Sequence, residues 1–304
     1  MKEKLIVILG PTAVGKTRFA VKLADKFNGE IISADSRQVY KHMDIGTGKD
    51  IDDYKINDRE ISYHLIDIIE PAEEFDLFYF RKLFEEALEK ITSKNRVPFL
   101  VGGTGLYIHS ILKNYKMTEV NFNKSRRVEL ELLPIEKLRA MVIKKIPNAH
   151  NTTDLIVKDR MIKAIMIAEQ KEITSEDDDL DFSTLVIGLK EDREKIKENI
   201  TKRLKQRLQN GMIEEVESLV KNGITYEKLD FFGLEYKFIG RYLKCELNYN
   251  DMYQKLNSAI YKFAKRQMTW FRKMEREGID IHWLEKGNEN KAYPLVEKFL
   301  NPVQ

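Results

Sequence analysis

The sequence predicts an α/β fold, a parallel sheet flanked by helices with a small helical subdomain inserted into it. Three observations predict it: short apolar runs bounded by glycine or proline, amphipathic helical segments between them, and a change to charged, helix-like sequence after about Asn114. Leu5 to Leu9 is continuously apolar, the pattern of a strand buried on both faces, and it ends at Gly10-Pro11. A helix follows, with Phe19, Ala20, Leu23, Ala24 and Phe27 at helical spacing until Asn28-Gly29 stops it. Glu30 to Ala34 reads as a second strand, Ile61 to Ile66 as a third, and Pro98 to Val101 as a fourth that runs into Gly102-Gly103-Thr104-Gly105. Strands alternating with helices imply right-handed crossovers and a parallel sheet, with ligands gathered at the carboxyl ends of its strands.

Residues 115–181 form the expected helical insertion, punctuated by Pro134 and Pro147, and 1–114 with 182–304 form the core. The acidic stretch Glu176 to Asp181 reads as a solvated linker, because no glycine turn or ligand spacing organises it as a metal site. Thr184 to Leu189 returns the chain to the sheet, and two long basic helices follow. One carries Ile196, Ile200, Leu204 and Leu208 in an i+4 row, with Lys195, Lys202, Arg203, Lys205 and Arg207 elsewhere around it. The other carries Leu256, Ile260, Phe263, Gln267, Trp270 and Met274, flanked by Lys262, Lys265, Arg266, Arg272 and Lys273.

With 304 residues, 42% of them hydrophobic, the chain can bury a substantial core. A net charge of +3 is too small to demand a polyanionic partner, so the clustering of bases carries that argument instead. The lone cysteine, Cys245, excludes an intrachain disulfide framework and a multi-cysteine metal site, and is expected to be a buried, inert thiol. No apolar run is long enough for a signal-peptide core or a membrane span, so a soluble, cytoplasmic monomer with no membrane partner is expected. The histidines show no paired metal spacing, and His64, in an apolar strand, reads as structural.

Gly10-Pro11-Thr12-Ala13-Val14-Gly15-Lys16-Thr17 fits G-x-x-x-x-G-K-[ST] and lies between a buried strand and a helix, the context in which that pattern cradles phosphate. Loop amides and the helix N-terminus would face a diphosphate, Lys16 would bind its oxygens and Thr17 a magnesium ion. Asp35 closes the second strand, where its carboxylate either faces this loop across the sheet edge or caps a turn. Thr104, in a second glycine turn, would present a hydroxyl to the same cleft. Asp67 reads either as a metal-facing strand-end carboxylate or as an ordinary strand exit.

GPTAVGKT, DSRQVY, YHLID, GGTGLY, Asp159-Arg160 with GMIEEV downstream, and AKRQMTWFR occur in that order, and over most of its length the chain resembles the tRNA dimethylallyltransferase (isopentenyltransferase) family. The resemblance implies a P-loop NTPase-like core. It also implies transfer of a dimethylallyl group from dimethylallyl diphosphate to the N6 amine of the adenosine 3′ to the anticodon in tRNA, with Mg²⁺ as cofactor. Carried over residue by residue, it makes Gly10 to Thr17 the diphosphate loop and Asp35 the general base. Asp35, Ser36, Arg37 and Gln38, together with Asp159, Arg160, Met161, Ile162 and Lys163, are then expected to meet tRNA, with Thr104 and Arg126 positioning the anticodon loop.

Three departures stand out. Asn199 precedes Ile200 where the family usually has arginine, and Phe232-Gly233-Leu234-Glu235-Tyr236-Lys237 replaces the usual Gly-Tyr-Lys-Glu. Arg203, one helical turn beyond Asn199 on the same face, is the residue expected to reach the anion instead. Lys163 likewise stands where arginine is usual. Competing readings are an adenylate isopentenyltransferase acting on a free nucleotide, a P-loop kinase of small metabolites, and a non-enzymatic RNA-binding protein. The helical insert and AKRQMTWFR argue against the first, the lack of a lid arginine cluster against the second, and Asp35 opposite an intact P-loop against the third.

Overall fold

A computed structural model of the chain describes residues 3–56, 59–115, 124–145, 158–169, 182–285 and 288–302. Strand β1 (Glu3–Leu9) leads through α1 (Lys16–Lys26) into β2 (Gly29–Ala34). A short helical turn (Ile51–Tyr54) and the two-residue antiparallel pair β3 (Lys55–Ile56) and β4 (Arg59–Glu60) precede β5 (Tyr63–His64). Then come α2 (Leu77–Thr92), β6 (Val97–Gly102) and α3 (Gly105–Leu112). After the insertion, β7 (Phe182–Lys190) is followed by α7 (Arg193–Gln209), α8 (Met212–Lys221), α9 (Tyr226–Phe232), α10 (Leu234–Leu243) and α11 (Tyr249–Arg276), then β8 (Ile281–Glu285) and α12 (Glu289–Leu300). The inserted helices are α4 (Lys124–Glu131), α5 (Ile135–Lys145) and α6 (Lys158–Glu169).

Six strands form one parallel sheet in the order β5-β2-β6-β1-β7-β8, flanked by helices, an α/β fold of the P-loop type. Leu5 to Leu9 are wholly buried at its centre, as a parallel strand covered on both faces requires. In register, Leu9 pairs with Gly102 of β6 and with Gly188 of β7, which brings the exits of these strands to one edge. Asp192 starts α7 by accepting from the Glu194 and Lys195 amides, and Asn248 starts α11 by accepting from that of Asp251.

The third expected strand, Ile61 to Ile66, shortens to Tyr63–His64, because Leu65 (φ 62°) and Asp67 (φ 54°) enter the left-handed region and end the extended run. His64 is structural as expected: its Nε2 lies 2.7 Å from the buried Glu30 carboxylate, which also accepts from Arg96 at 2.8 Å. Cys245 corrects an expectation. It is exposed, at φ 58° just beyond the end of α10, so it fills no core position. Neither β8 nor the three helices between α7 and α11 were anticipated.

The chain divides into two compact units, Met1–Tyr115 with Leu180–Gln304, and Lys116–Asp179. The smaller has its own core of Leu130, Leu138, Val142, Met161, Ile162, Ile165 and Met166. Pro134 immediately precedes α5; Pro147 and the acidic stretch Glu176 to Asp181 lie outside the described residues. Among the described residues no helix is long and apolar enough to cross a membrane.

Candidate active site

The P-loop leaves β1 at Leu9 and enters α1 at Lys16. Gly10 has no room for a side chain, since a Cβ would lie 2.6 Å from the Leu189 carbonyl oxygen. Thr12, Ala13, Gly15, Lys16 and Thr17 line a cavity of about 970 Å³. Gly10, Pro11 and Val14 are buried and do not line it. Lys16 Nζ donates to the Pro11 carbonyl at 2.9 Å. Burial lowers its pKa to about 8, helped by the Arg203 charge and opposed by Asp35.

Asp35 leaves β2 and lines the same cavity, and its Oδ1 accepts from the Arg37 amide at 2.9 Å. Both expected roles, turn cap and cleft carboxylate, are therefore compatible at once, because a carboxylate has a second oxygen to present. From the other glycine turn, Thr104 Oγ1 accepts from the Ser36 amide at 3.1 Å. Gln38 accepts from Ser33 Oγ and donates to the Gly48 carbonyl, while Arg37 lays its guanidinium 4.8 Å from the Phe231 ring centroid. Asp67 is a strand exit: it pairs with the buried Lys49 and does not line the cavity. Lys49 also donates to the Tyr40 carbonyl and Asp44, and Glu215 accepts from the Asp44, Ile45 and Gly46 amides at 2.7, 2.7 and 3.0 Å. The loop carrying Gly48 is thus held from two sides.

Helix α7 brings Asn199, Arg203 and Arg207 to the cavity. Asn199 Nδ2 reaches the Ala13 carbonyl at 3.4 Å, and Arg203 Nη1 reaches Thr12 Oγ1 at 3.4 Å. Burial first, and then the neighbouring Arg207, push the Arg203 pKa down to about 10; a guanidinium stays charged there, so the shift marks an ill-compensated cation. Helix α11 brings Gln267, a residue sequence reasoning passed over. Its Oε1 accepts from the Thr12 amide at 2.9 Å and its Nε2 donates to the Gly103 carbonyl at 2.8 Å, clasping both glycine turns. A Cβ on Gly103 would lie 2.3 Å from that nitrogen, and one on Gly105 would lie 2.7 Å from Trp270 Cβ. The available signal was a polar side chain in an otherwise apolar helical row.

A family model described as IPP transferase matches residues 38–274, and one described as isopentenyl transferase matches residues 3–63. The chain belongs to the IPP transferase family. It is 50% identical over 285 residues to tRNA dimethylallyltransferase 1 of Geotalea uraniireducens, covering 94% of this chain and 93% of that one. Among solved structures, the full-length tRNA isopentenylpyrophosphate transferase of Bacillus halodurans is 31% identical with a TM-score of 0.69, covering 98% of this chain and 96% of that one. A eukaryotic dimethylallyltransferase acting on tRNA shares the fold at TM-score 0.80 and 23% identity, covering 99% of this chain and 81% of that one.

In this IPP transferase the remaining expected tRNA residues lie in the smaller unit. Arg126 on α4 donates to Glu169 at 2.7 and 2.9 Å and to Glu129 at 2.8 Å, which raises its pKa further. The Met161 and Ile162 side chains are buried in that unit's core, where they pack α6. Lys163 is half-buried on the same helix; Asp159 and Arg160 belong to its first turn, with side chains outside the described residues.

Proposed function

We infer that the cavity is the catalytic centre of a tRNA dimethylallyltransferase, which moves a dimethylallyl group from its diphosphate to the N6 amine of the adenosine 3′ to the anticodon. The observation that carries this assignment is the convergence of the P-loop, Asp35 and Thr104 on one cavity. Adenine's exocyclic amine is a weak nucleophile, its lone pair being delocalised into the ring. As the nitrogen forms its bond to the allylic carbon, Asp35 takes the departing N–H proton, and the carbon–oxygen bond breaks with its electron pair leaving on the diphosphate. Lys16, Arg203 and the amides of the loop hold that growing negative charge.

A Mg²⁺ ion fits this donor set. Thr17 offers a hydroxyl on the cavity wall, and an ion that takes its other ligands from diphosphate oxygens and water needs little more from the protein. Among the described residues no cluster of three or more His, Cys, Asp or Glu is placed to hold a metal without substrate. When bound, the ion supplies charge neutralisation on the leaving group.

The target base must leave its stack to enter, which favours a single-stranded anticodon loop over duplex RNA. Ser36, Arg37, Gln38 and Thr104 stand at the cavity to receive it, and the exposed Lys262, Lys265, Arg266 and Arg272 on α11 suit the RNA backbone. The helical insertion 115–181, with Arg126 and Lys163, is assigned as a further RNA-binding element of a cytoplasmic, monomeric enzyme. Incubation with labelled dimethylallyl diphosphate, Mg²⁺ and either unmodified tRNA or AMP tests the function. Label is expected on tRNA alone; label on AMP alone would make the protein a free-nucleotide enzyme.

A further inference from the structure

Arg203 and Arg207 lie four residues apart on α7, hence on one face of the helix, and both point into the cavity. Gly48 (φ 69°) lies against them. A Cβ there would come within 1.5 Å of Arg207 Nη2 and 2.1 Å of Arg203 Nη2, so the two guanidinium ends lie side by side in space that only a glycine leaves open. Like charges brought that close repel, and more strongly in a partly buried site than in water.

Their protein partners are poor. Charge-assisted hydrogen bonds run to about 2.7–2.9 Å, yet the two arginines share a single Asp50 oxygen at 3.7 and 3.5 Å, from a carboxylate that is itself 54% exposed. Among the described residues Arg203 has one other polar contact, to Thr12 Oγ1 at 3.4 Å, and its buried Nε has no partner. Glu235 shares the cavity and attracts both guanidinium charges at longer range but, among the described residues, forms no hydrogen bond to either. The Arg207 side chain is only 12% exposed, so it is not simply a cation left in solvent.

We propose that Arg207 is a second diphosphate-binding residue, forming with Arg203 a fork that grips the leaving diphosphate where the short Asn199 cannot. This rests on the reading of the cavity given above. A phosphate of the RNA backbone would offer the same oxygen chemistry. The diphosphate is favoured because α7 runs along the P-loop here, with Asn199 touching the Ala13 carbonyl and Arg203 touching Thr12. Asparagine at 199 supplies neither the charge nor the planar donor fork that two phosphoryl groups call for.

Calorimetric titration of the full chain with inorganic diphosphate and Mg²⁺, without RNA, separates the claims. A wild-type chain that does not bind would overturn the reading of the cavity itself. Given wild-type binding, Arg207→Ala is expected to weaken diphosphate affinity about tenfold or more, the scale of one charged contact. Arg207→Lys should recover part of the loss, and the double variant Asn199→Arg/Arg207→Ala, which moves the charge back along the helix, should recover most of it. Melting curves of the three variants show whether each folds. Unchanged diphosphate affinity in a folded Arg207→Ala chain, or a comparable loss of tRNA affinity in its place, would overturn the proposal.

Discussion

Helices α7 and α11 line the same cavity and treat their polar groups in opposite ways. On α11, Gln267 spends both ends of its amide in hydrogen bonds of 2.8 and 2.9 Å, and Trp270 lies directly on Gly105. On α7, the contacts of Asn199, Arg203 and Arg207 with the cavity wall are all 3.4 Å or longer. A buried polar group with its partners in place braces the fold, whereas a partly buried cation with long contacts adds little to stability and keeps donor capacity for a ligand. The difference separates scaffold from grip within a single site, and it predicts that damage to the two helices will have different signatures.

The largest effect should come from Asp35, the carboxylate on the same cavity. Asp35→Asn is expected to lose on the order of 10²–10⁴ in single-turnover rate while keeping tRNA affinity and melting temperature, the usual worth of a general base. A variant that binds poorly but turns over normally would refute the role. Next is Gln267→Leu, which strands the Thr12 amide and the Gly103 carbonyl at roughly 1–3 kcal/mol each. Its melting temperature should drop, and an unchanged one would erase the contrast between the helices. Arg203→Ala should show the reverse pattern, a rate lower by roughly tenfold or more with stability unchanged or improved, because it relieves repulsion with Lys16 and Arg207.

The smallest effect is in pH dependence. Lys16, with its pKa lowered to about 8, loses its charge in the free enzyme as pH rises through that value, so kcat/KM for dimethylallyl diphosphate should fall on the alkaline side. Removing the Arg203 charge should move that limb to higher pH; a limb that stays put would disprove the coupling. The sign for stability is opposite. A cation whose pKa is lowered by folding is a cost below pH 8, and the cost fades as pH climbs toward the ordinary 10.5, because there the unfolded chain holds more protons than the folded one.

Legibility in the sequence followed the range of the interactions involved. The P-loop, Asp35 and the second glycine turn were readable because each is a local pattern at a strand exit. Their convergence follows from parallel strands ending at one edge. Gln267 was hidden because its meaning comes from Thr12 and Gly103, 255 and 164 residues away in sequence, while at short range it looks like one step in an apolar row. Arg207 was grouped with the bases around α7 for the same reason, since only the fold brings Gly48 against it. The overlong third strand failed differently: apolar composition says that Leu65 is buried, but not that it takes a left-handed backbone. In AKRQMTWFR, the basic positions Lys265, Arg266 and Arg272 are exposed while Ala264, Gln267 and Phe271 are buried, and Phe263, just before the motif, lines the cavity.

Trp270 has a use apart from packing. The chain has two tryptophans, and the other, Trp283, lies in β8, off the cavity, donating its indole N–H to Glu275 at 2.8 Å. A Trp283→Phe variant would therefore carry one indole, set on a cavity wall where any entering diphosphate or base changes its polarity. Its emission would act as an intrinsic optical probe, and rapid mixing with each ligand in turn would reveal the order in which the prenyl donor and the RNA arrive.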